Sequence, residues 1–194
     1  DWPGFTIKAK FKGTSISMIL IDSDNIYNVF IDGELHKVLY PNVMDSVYKL
    51  ASNLADAVHT IEITKRTEAF FGMAEFRGFI LDKGKSLVQN KFEKERKIAF
   101  VGDSYITGYG NEGLSPDCPF SRETENNYLS FAAILARNLD ADANFTAVSG
   151  IGITKNYGDT TTQKKLTMPV VFSRSCYNIK KKWNFRRFEP DAVV

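Results

Sequence analysis

The sequence is poor in the residues that build metal sites and disulfide frameworks, with only two cysteines and two histidines among its 194 residues. The spacing of Cys118 and Cys176 fits no metal-binding motif. A disulfide between them is compatible with the sequence, and two thiols do not decide the compartment. Any chemistry that needs an imidazole is limited to His36 and His59.

Long apolar runs and an excess of one charge are absent as well. No run approaches the about 20 apolar residues that a membrane span needs, so we expect no membrane partner. The net charge of +2 is close to neutral, and the one basic cluster with aromatic residues inside it is KKKWNFRR, Lys180 to Arg187. Without an RNA-binding signature, this cluster predicts no nucleic-acid partner. The chain begins without Met or a signal peptide, so we expect that any targeting segment was removed or never included.

Up to about residue 90 the apolar residues follow a period of two. FTIKAKF, SISMILI, NIYNVFID, HTIEITK and AEFRGFILD alternate apolar and polar side chains, and Asp32-Gly33 and Asp82-Lys83-Gly84 are turn signals. Short alternating strands separated by frequent turns are typical of an antiparallel sandwich. We therefore predict a jelly-roll-like β-sandwich domain over residues 1–90, with a helical turn in SVYKLASNLADA as its one departure.

From Lys97 the pattern changes to that of a parallel sheet with helical crossovers. KIAFV is a compact apolar run, NFTAVSG is a second short strand, and DAVV begins a third. Between the first two, NNYLSFAAILARNL has apolar residues at helical spacing, with Thr124 and Asn126 as candidate N-caps. This order of elements predicts the first part of an α/β/α domain over residues 91–194, with the boundary near LVQNKFEKERK.

A serine follows the first strand of this second half, within GDSYITGYG. Ser104 thus comes after KIAFV, where open α/β sheets place their ligand crevice. Gly102, Gly108 and Gly110 permit backbone angles that a side chain would forbid. Backbone N–H groups beside such a serine can hold a developing oxyanion, which makes Ser104 a candidate nucleophile. The alternative is a phosphate-binding glycine turn, but the GxGxxG and GK[ST] patterns are absent.

The same residues resemble a known family of hydrolases. GDSYITGYG is similar to the first block of the SGNH, or GDSL-type, hydrolases, and AVSGIG to their second block, with Gly150 as the matching glycine and Gly152 as the fallback. The resemblance is closer still to carbohydrate esterase family 2, whose members place a β-sandwich before the SGNH domain. That family shares GYGNEG, a segment like SGIGITKNYG, and sandwich signatures resembling FKGTSISMIL, YNVFIDG and HTIEITKRTE.

This resemblance implies an esterase that removes O-acetyl groups from plant polysaccharides such as xylan or mannan, with no metal or organic cofactor. Ser104 would attack the acetyl carbonyl, and the N–H groups of Ser104 and Gly150 would bind the oxyanion. Asp103 is expected to tie the turn to neighbouring backbone rather than to act as a catalytic acid. Tyr105 departs from the aliphatic residue common after the serine. A polysaccharide substrate also implies that the protein is secreted or periplasmic.

Two elements of the family pattern are not found in this chain. The third block is a turn whose asparagine is a further oxyanion donor, and WNFRRFEPDAVV resembles the approach to it. The fourth is a late histidine that takes the proton of the serine, which is a weak nucleophile without a base. His59 shares parity with Ile61 and Ile63, which favours a hydrogen-bonded core or edge histidine, and His36 follows a hairpin turn. We therefore expect a fragment of an active esterase that is inactive on its own.

Loop aromatics are candidates for stacking on sugar rings, namely Tyr109, Tyr157, Phe172 and Trp183. Such side chains more often serve as cover for a core. Asp159 is a candidate hydrogen-bond partner for a sugar hydroxyl. Lys65-Arg66 is predicted to be a salt-bridged strand end.

Two other functions stay open on the sequence. A β-sandwich ahead of an incomplete hydrolase is compatible with a protein that binds glycan and performs no chemistry. An SGNH esterase that acts on lipid or aryl esters is the second alternative. The sandwich and the GYGNEG segment favour an acetylated sugar, but the sequence does not decide the polysaccharide, the hydroxyl or the oligomeric state.

Overall fold

The computed structural model describes residues 1–160 and 166–194, and they divide into two compact units. The sandwich unit comprises Phe5–Lys65 and Gly72–Phe92, and the α/β unit comprises Asp1–Gly4, Arg66–Phe71 and Glu93–Val194. The predicted division at residue 90 thus lies close to Phe92, but it does not foresee that two short earlier segments belong to the α/β unit. Among the residues described, no helix has the length and apolar character to cross a lipid bilayer.

The sandwich unit consists of two antiparallel sheets. Its strands are β1 (Thr6–Gly13), β2 (Ile16–Ile21), β3 (Tyr27–Ile31), β4 (Glu34–Leu39), β5 (Val47–Ala51), β6 (Ala57–Lys65), β7 (Glu75–Leu81) and β8 (Leu87–Val88). One sheet has the order β4-β3-β6-β1-β8 and the other the order β5-β2-β7. Phe11, Met18, Val29 and Ile61 are buried in one core supplied by both sheets. The predicted alternation therefore gives the predicted sandwich, because one side of each strand faces this core.

The helical turn predicted in SVYKLASNLADA is wrong. Val47–Ala51 is a strand that pairs antiparallel with β2. Tyr48 and Leu50 are buried whereas Val47 and Lys49 are exposed, so the period of two continues through this segment. Pairing with a neighbouring strand outweighs the weak helical preference of the alanines and leucines that follow.

A polar cluster around buried His59 and exposed Asp32 closes the hairpin between β3 and β4. Asp32 and Gly33 both have positive φ, 52° and 89°, as a two-residue hairpin turn requires. Asp32 Oδ1 accepts the N–H of Thr60 at 2.7 Å, and its Oδ2 lies 2.6 Å from His59 Nδ1. His59 Nε2 lies 2.9 Å from the carbonyl oxygen of Ala55. The predicted hydrogen-bonded core or edge histidine is confirmed.

This cluster favours the charged form of His59. Both ring nitrogens face acceptors, and only the imidazolium donates from both. The hydrogen bond to Asp32 and that to Ala55 raise the pKa of His59. Burial alone would raise the pKa of Asp32, but the hydrogen bonds from His59 and Thr60 outweigh it and lower that pKa. The pair is therefore a pH-dependent source of stability.

We expect the His59→Gln variant to lose about 1–2 kcal/mol of unfolding free energy near pH 5.5. Because the folded pKa of His59 is raised, its contribution is complete below the ordinary histidine pKa and is lost as pH rises through the folded value. The contribution of Asp32 is lost instead as pH falls through its lowered pKa. Urea unfolding from pH 3 to pH 9 measures the difference from the unchanged chain, with exposed His36→Gln as the control. A difference that stays constant across this range contradicts the prediction.

The α/β unit is built on a short parallel sheet. Its elements are β9 (Arg96–Gly102), α1 (Ser104–Thr107), α2 (Phe131–Asn138), β10 (Ala141–Ala147), α3 (Met168–Val171), β11 (Arg174–Cys176), β12 (Ile179–Lys182) and β13 (Ala192–Val193), with 3-10 turns at Ala69–Phe71, Arg122–Thr124, Asn127–Leu129 and Phe185–Arg187. β10 and β13 lie on either side of β9, and both run parallel to it, as predicted. The antiparallel hairpin β11–β12 was not predicted.

The predicted start of the helix before β10 is wrong. α2 begins at Phe131, and its N-cap is Ser130, whose Oγ accepts the N–H of Ala133 at 3.3 Å. The expected caps Thr124 and Asn126 lie instead at the 3-10 turns before it. Ala132, Ala133 and Ala136 are buried, whereas Phe131, Leu135 and Leu139 are exposed. The small alanine side chains form the inner face of α2, and the predicted helical spacing of its apolar residues is confirmed.

Candidate active site

The serine turn joins β9 directly to α1. Ser104 is the first residue of α1, and Asp103 is its N-cap, with φ of −119° and ψ of −146°. Asp103 Oδ1 accepts the N–H of Tyr105 at 3.2 Å. A cap of this kind satisfies one of the donors that every helix leaves unpaired in its first turn. The carboxyl group of Asp103 is thus engaged with the backbone of the turn.

Ser104 lies on a concave surface and is half-buried. The surface is lined by Ser104, Tyr105, Gly108, Tyr109, Asn111, Leu129, Ser130 and Phe131. Among the residues that the structure describes, no hydrogen-bond partner holds the hydroxyl of Ser104 or its backbone N–H. Both groups are therefore available to a molecule that enters this surface.

The glycine turn after β10 comes to the same end of the sheet. Ala147 pairs in register with Gly102, and the N–H of Val148 donates to the carbonyl of Gly102 at 3.2 Å. Gly150 follows two residues later with φ of 72°. Its carbonyl accepts the N–H of Tyr157 at 2.8 Å. Parallel pairing thus brings the two turns to neighbouring strand ends, where ligand sites of open α/β sheets form.

The hydrogen bonds of this turn distinguish Gly150 from the fallback Gly152. The N–H of Gly152 donates to Asn156 Oδ1 at 2.9 Å, so it is already occupied. The N–H of Gly150 has no acceptor within the described part of the chain. An oxyanion donor must be free to bind its ligand, which favours Gly150 as the second donor. The catalytic roles of Ser104 and Gly150 stay predictions at this point.

A second glycine turn reverses the chain at the end of α1, the short helix that Ser104 begins. Gly108 ends α1 with φ of 79°, and its N–H donates to the carbonyl of Ser104 at 3.1 Å. A Cβ atom on Gly108 would lie 2.4 Å from the carbonyl oxygen of Asn126. Gly110 also has a positive φ, 66°, but a Cβ there meets nothing within 4 Å. An alanine at Gly110 would therefore meet backbone strain alone, whereas an alanine at Gly108 would meet the same strain and a steric clash.

We expect Gly110→Ala to destabilise the protein by about 1 kcal/mol, the cost of left-handed backbone for a residue with Cβ. Gly108→Ala should cost about 2 kcal/mol or more, because the methyl group also displaces the backbone at Asn126. Thermal unfolding of both variants beside the unchanged chain measures the difference. Equal losses would show that the close approach at Asn126 relaxes without cost.

The predicted sugar-stacking aromatics are not all at one site. Tyr109 lines the concave surface at Ser104, and its ring stacks on Phe120 with centroids 3.8 Å apart. The side chain of Tyr157 is 92% exposed, and its Cβ lies 3.5 Å from where a Cβ of Gly150 would be. Trp183 and Phe172 line a separate apolar pocket, which also includes Trp2, Phe185 and Phe188. Of the four predicted aromatics, Tyr109 and Tyr157 are therefore the two near these turns.

Asp159 lies inside the loop that follows the glycine turn. It is buried, and its Oδ2 accepts the N–H of Asn156 at 3.2 Å. Asn156 in turn receives the N–H of Gly152 and donates its side-chain N–H to the carbonyl of Leu166 at 3.0 Å. These contacts give Asp159 a place in the structure of the loop.

The disulfide that the sequence left open is not formed, since Cys118 and Cys176 are free thiols.

Sequence reasoning missed the buried charges that follow β6. Arg66 of the predicted Lys65-Arg66 strand end is salt-bridged as expected, because it pairs with Glu112 of the GYGNEG loop. Arg66 is only 5% exposed, however, and it also donates to the carbonyl oxygens of Glu123 and Glu125, both at 3.3 Å. It is thus an internal anchor for the loop between α1 and α2. The one sequence feature that indicates such contacts is the repeated Glu in this loop, because it offers partners to a buried cation.

Fold and site together define a class: an antiparallel β-sandwich followed by a parallel sheet with helices, as in SGNH-type hydrolases with a sandwich domain. Residues 1–90 match the family described as carbohydrate esterase 2 N-terminal. The resemblance to carbohydrate esterase family 2 predicted from sequence is therefore confirmed, with residues 1–90 similar to the N-terminal domain of that family.

The similarity to known esterases extends over the whole chain. Cellulase/esterase CelE of Acetivibrio thermocellus is 39% identical over 197 residues, which cover 100% of this chain and 23% of CelE. An acetylxylan esterase / glucomannan deacetylase of Cellvibrio japonicus is 30% identical, with 100% and 53% covered. The structure of a family two carbohydrate esterase from Clostridium thermocellum in complex with cellohexaose superposes with a TM-score of 0.92 at 36% identity, covering 100% of this chain and 58% of that one. The chain thus spans about half or less of the length of these relatives.

Proposed function

We propose that the chain is part of a serine esterase that removes O-acetyl groups from plant cell-wall polysaccharide such as xylan or mannan. One observation carries this proposal. The hydroxyl and N–H of Ser104 and the N–H of Gly150 lie at neighbouring ends of paired parallel strands, and none has a partner among the residues described. A nucleophile beside unpaired N–H donors is the arrangement that acyl transfer requires.

In the proposed reaction the Oγ of Ser104 attacks the acetyl carbonyl carbon and its proton passes to a base. The two N–H groups bind the oxyanion that forms on the carbonyl oxygen, because they are oriented before the charge appears. Collapse of the oxyanion breaks the ester bond, and the sugar oxygen leaves with the proton from the base. Water then hydrolyses the acetyl-serine by the same steps, which releases acetate and restores Ser104.

We propose that neither of the two histidines of this chain is the base. Both ring nitrogens of His59 are engaged, and His36 does not match the late histidine of the family pattern. We propose that a histidine and an oxyanion asparagine are supplied by a longer polypeptide, since the chain spans 53% of its Cellvibrio relative. The direction of β13 supports this, because it runs parallel to β9 and its carboxyl end faces the same edge as Ser104.

An acetylated polysaccharide is the proposed substrate because the relatives include an acetylxylan esterase / glucomannan deacetylase. Tyr105 and Tyr109 line the concave surface. Their aromatic rings offer flat apolar faces on which sugar rings stack. A polymer of this kind lies outside the cell, so we propose a secreted or periplasmic location. Lipid or aryl esters are the alternative substrates that the fold also permits.

Glycan binding without chemistry is the second candidate. It is favoured by the exposed Tyr105 and Tyr157 near the site and by the cellohexaose held by a similar esterase. Binding of unacetylated xylan or glucan that survives Ser104→Ala, with no acetate release in any longer form, would favour this function over the esterase.

We expect a longer polypeptide that contains residues 1–194 to release acetate from acetylated xylan, whereas the 194-residue chain releases none. In the longer form, Ser104→Ala should lower the rate about 1,000-fold or more, because the nucleophile is lost. Acetate is measured with an enzyme-coupled assay, and Ser115→Ala in the exposed loop is the control that keeps full activity. Longer acyl esters in parallel test the substrate class.

Turnover by the 194-residue chain that Ser104→Ala abolishes would mean that the base lies within this chain. Turnover that survives Ser104→Ala would remove the serine from the mechanism.

A further inference from the structure

Glu68 is a buried carboxyl group next to the glycine turn. It belongs to the segment Arg66–Phe71, which follows β6 in sequence and is part of the α/β unit. Its exposure is 0%, and its Oε2 accepts the N–H of Ser149 at 2.7 Å. A carboxyl group is costly to bury, so a position this close to the predicted oxyanion donor suggests a role beyond packing.

Two hydroxyl groups continue the contact from Ser149 to the serine turn. Thr107 Oγ1 donates to the carbonyl of Ser104 at 3.2 Å and lies 3.1 Å from Ser149 Oγ. A hydroxyl has a single proton, so Thr107 uses its own on Ser104 and Ser149 is the donor to Thr107. Thr107 is fully buried. Glu68, Ser149, Thr107 and Ser104 thus form one chain of hydrogen bonds.

The predicted oxyanion donor is a glycine, so hydrogen bonds from neighbouring residues are needed to fix the direction of its N–H. Glycine has the widest backbone freedom of any residue, so the direction of its N–H must be set by its neighbours. On one side, Glu68 holds the N–H of Ser149; on the other, the carbonyl of Gly150 accepts the N–H of Tyr157 at 2.8 Å. Along the backbone, the N–H of Gly150 lies between these two hydrogen-bonded groups, the N–H of Ser149 and the carbonyl of Gly150.

We propose that Glu68 is a positioning residue, which holds the Ser149–Gly150 backbone so that the N–H of Gly150 is directed at the oxyanion formed on the Ser104 side. The catalytic meaning of this role rests on the proposed esterase function. The structural part does not, because it concerns the orientation of one backbone amide. A displaced oxyanion donor should lower kcat rather than weaken substrate binding, since the donor acts on a charge that exists only in the transition state.

NMR of the 15N-labelled 194-residue chain tests the structural part. Glu68→Ala should remove the hydrogen-exchange protection of the Ser149 amide and shift and broaden the Gly150 amide, while the amides of β9 stay unchanged. Glu68→Gln keeps the size and a carbonyl acceptor, so it should fold and retain most of the protection of the Ser149 amide. Thr107→Val, which leaves Glu68 intact, is a second variant that should shift the Ser149 amide. Exposed Glu34→Gln is the charge-matched control and should move neither amide.

Kinetics of the longer polypeptide test the catalytic part. We expect Glu68→Ala to lower kcat about 10- to 100-fold with KM changed by less than about threefold, as for partial loss of an oxyanion donor. Partial recovery with Glu68→Gln supports positioning by an acceptor oxygen.

Ser149 and Gly150 amides that are unmoved in both Glu68 variants overturn the inference, whatever the activity. A lower melting temperature with unchanged kcat overturns its catalytic part. If no form of the polypeptide releases acetate, the esterase proposal fails, and the amide spectra still decide the role of Glu68.

Discussion

The parallel pairing of β9 with β10 is the constraint on which the rest of the site depends. Its register places Ala147 beside Gly102, and the bond from Val148 to Gly102 extends it by one residue. Two turns distant in sequence therefore leave the sheet side by side. Ser104 begins a helix on one strand, and Gly150 bends the chain on the other. A shift in this register would separate Ser104 from the Gly150 amide without altering either turn.

Two buried charged residues contact the loops around these turns. A three-stranded parallel sheet with a helix of eight residues supplies a modest core. Arg66 and Glu68 lie two residues apart, and each reaches a different loop: Arg66 contacts the loop between α1 and α2, and Glu68 contacts the turn after β10. Such groups are expensive to bury, and removing one partner of a buried pair leaves the other charge uncompensated.

Much of the fold could be predicted because strand alternation and turn chemistry are local. The strands at Thr6–Gly13, Ile16–Ile21 and Ala57–Lys65, and the Asp32-Gly33 turn, follow from the period of two and from residues that accept positive φ. The strand at Val47–Ala51 was missed since its pattern spans only five residues. The start of α2 was misplaced because Thr124 and Asn126 have the residue types of N-caps but lie at the 3-10 turns before the helix.

By itself, the sequence determined the two kinds of sheet, the serine turn and the family resemblance, since each is carried by residues within one short segment. Tertiary structure alone decided which glycine amide is free: Asn156 occupies Gly152 and leaves Gly150 open. It also decided that Trp183 lies away from Ser104, and that Glu68 is buried against Ser149, 81 positions further along the chain. Contacts of that separation depend on how strands pair and loops return, and local patterns of residue type do not encode them.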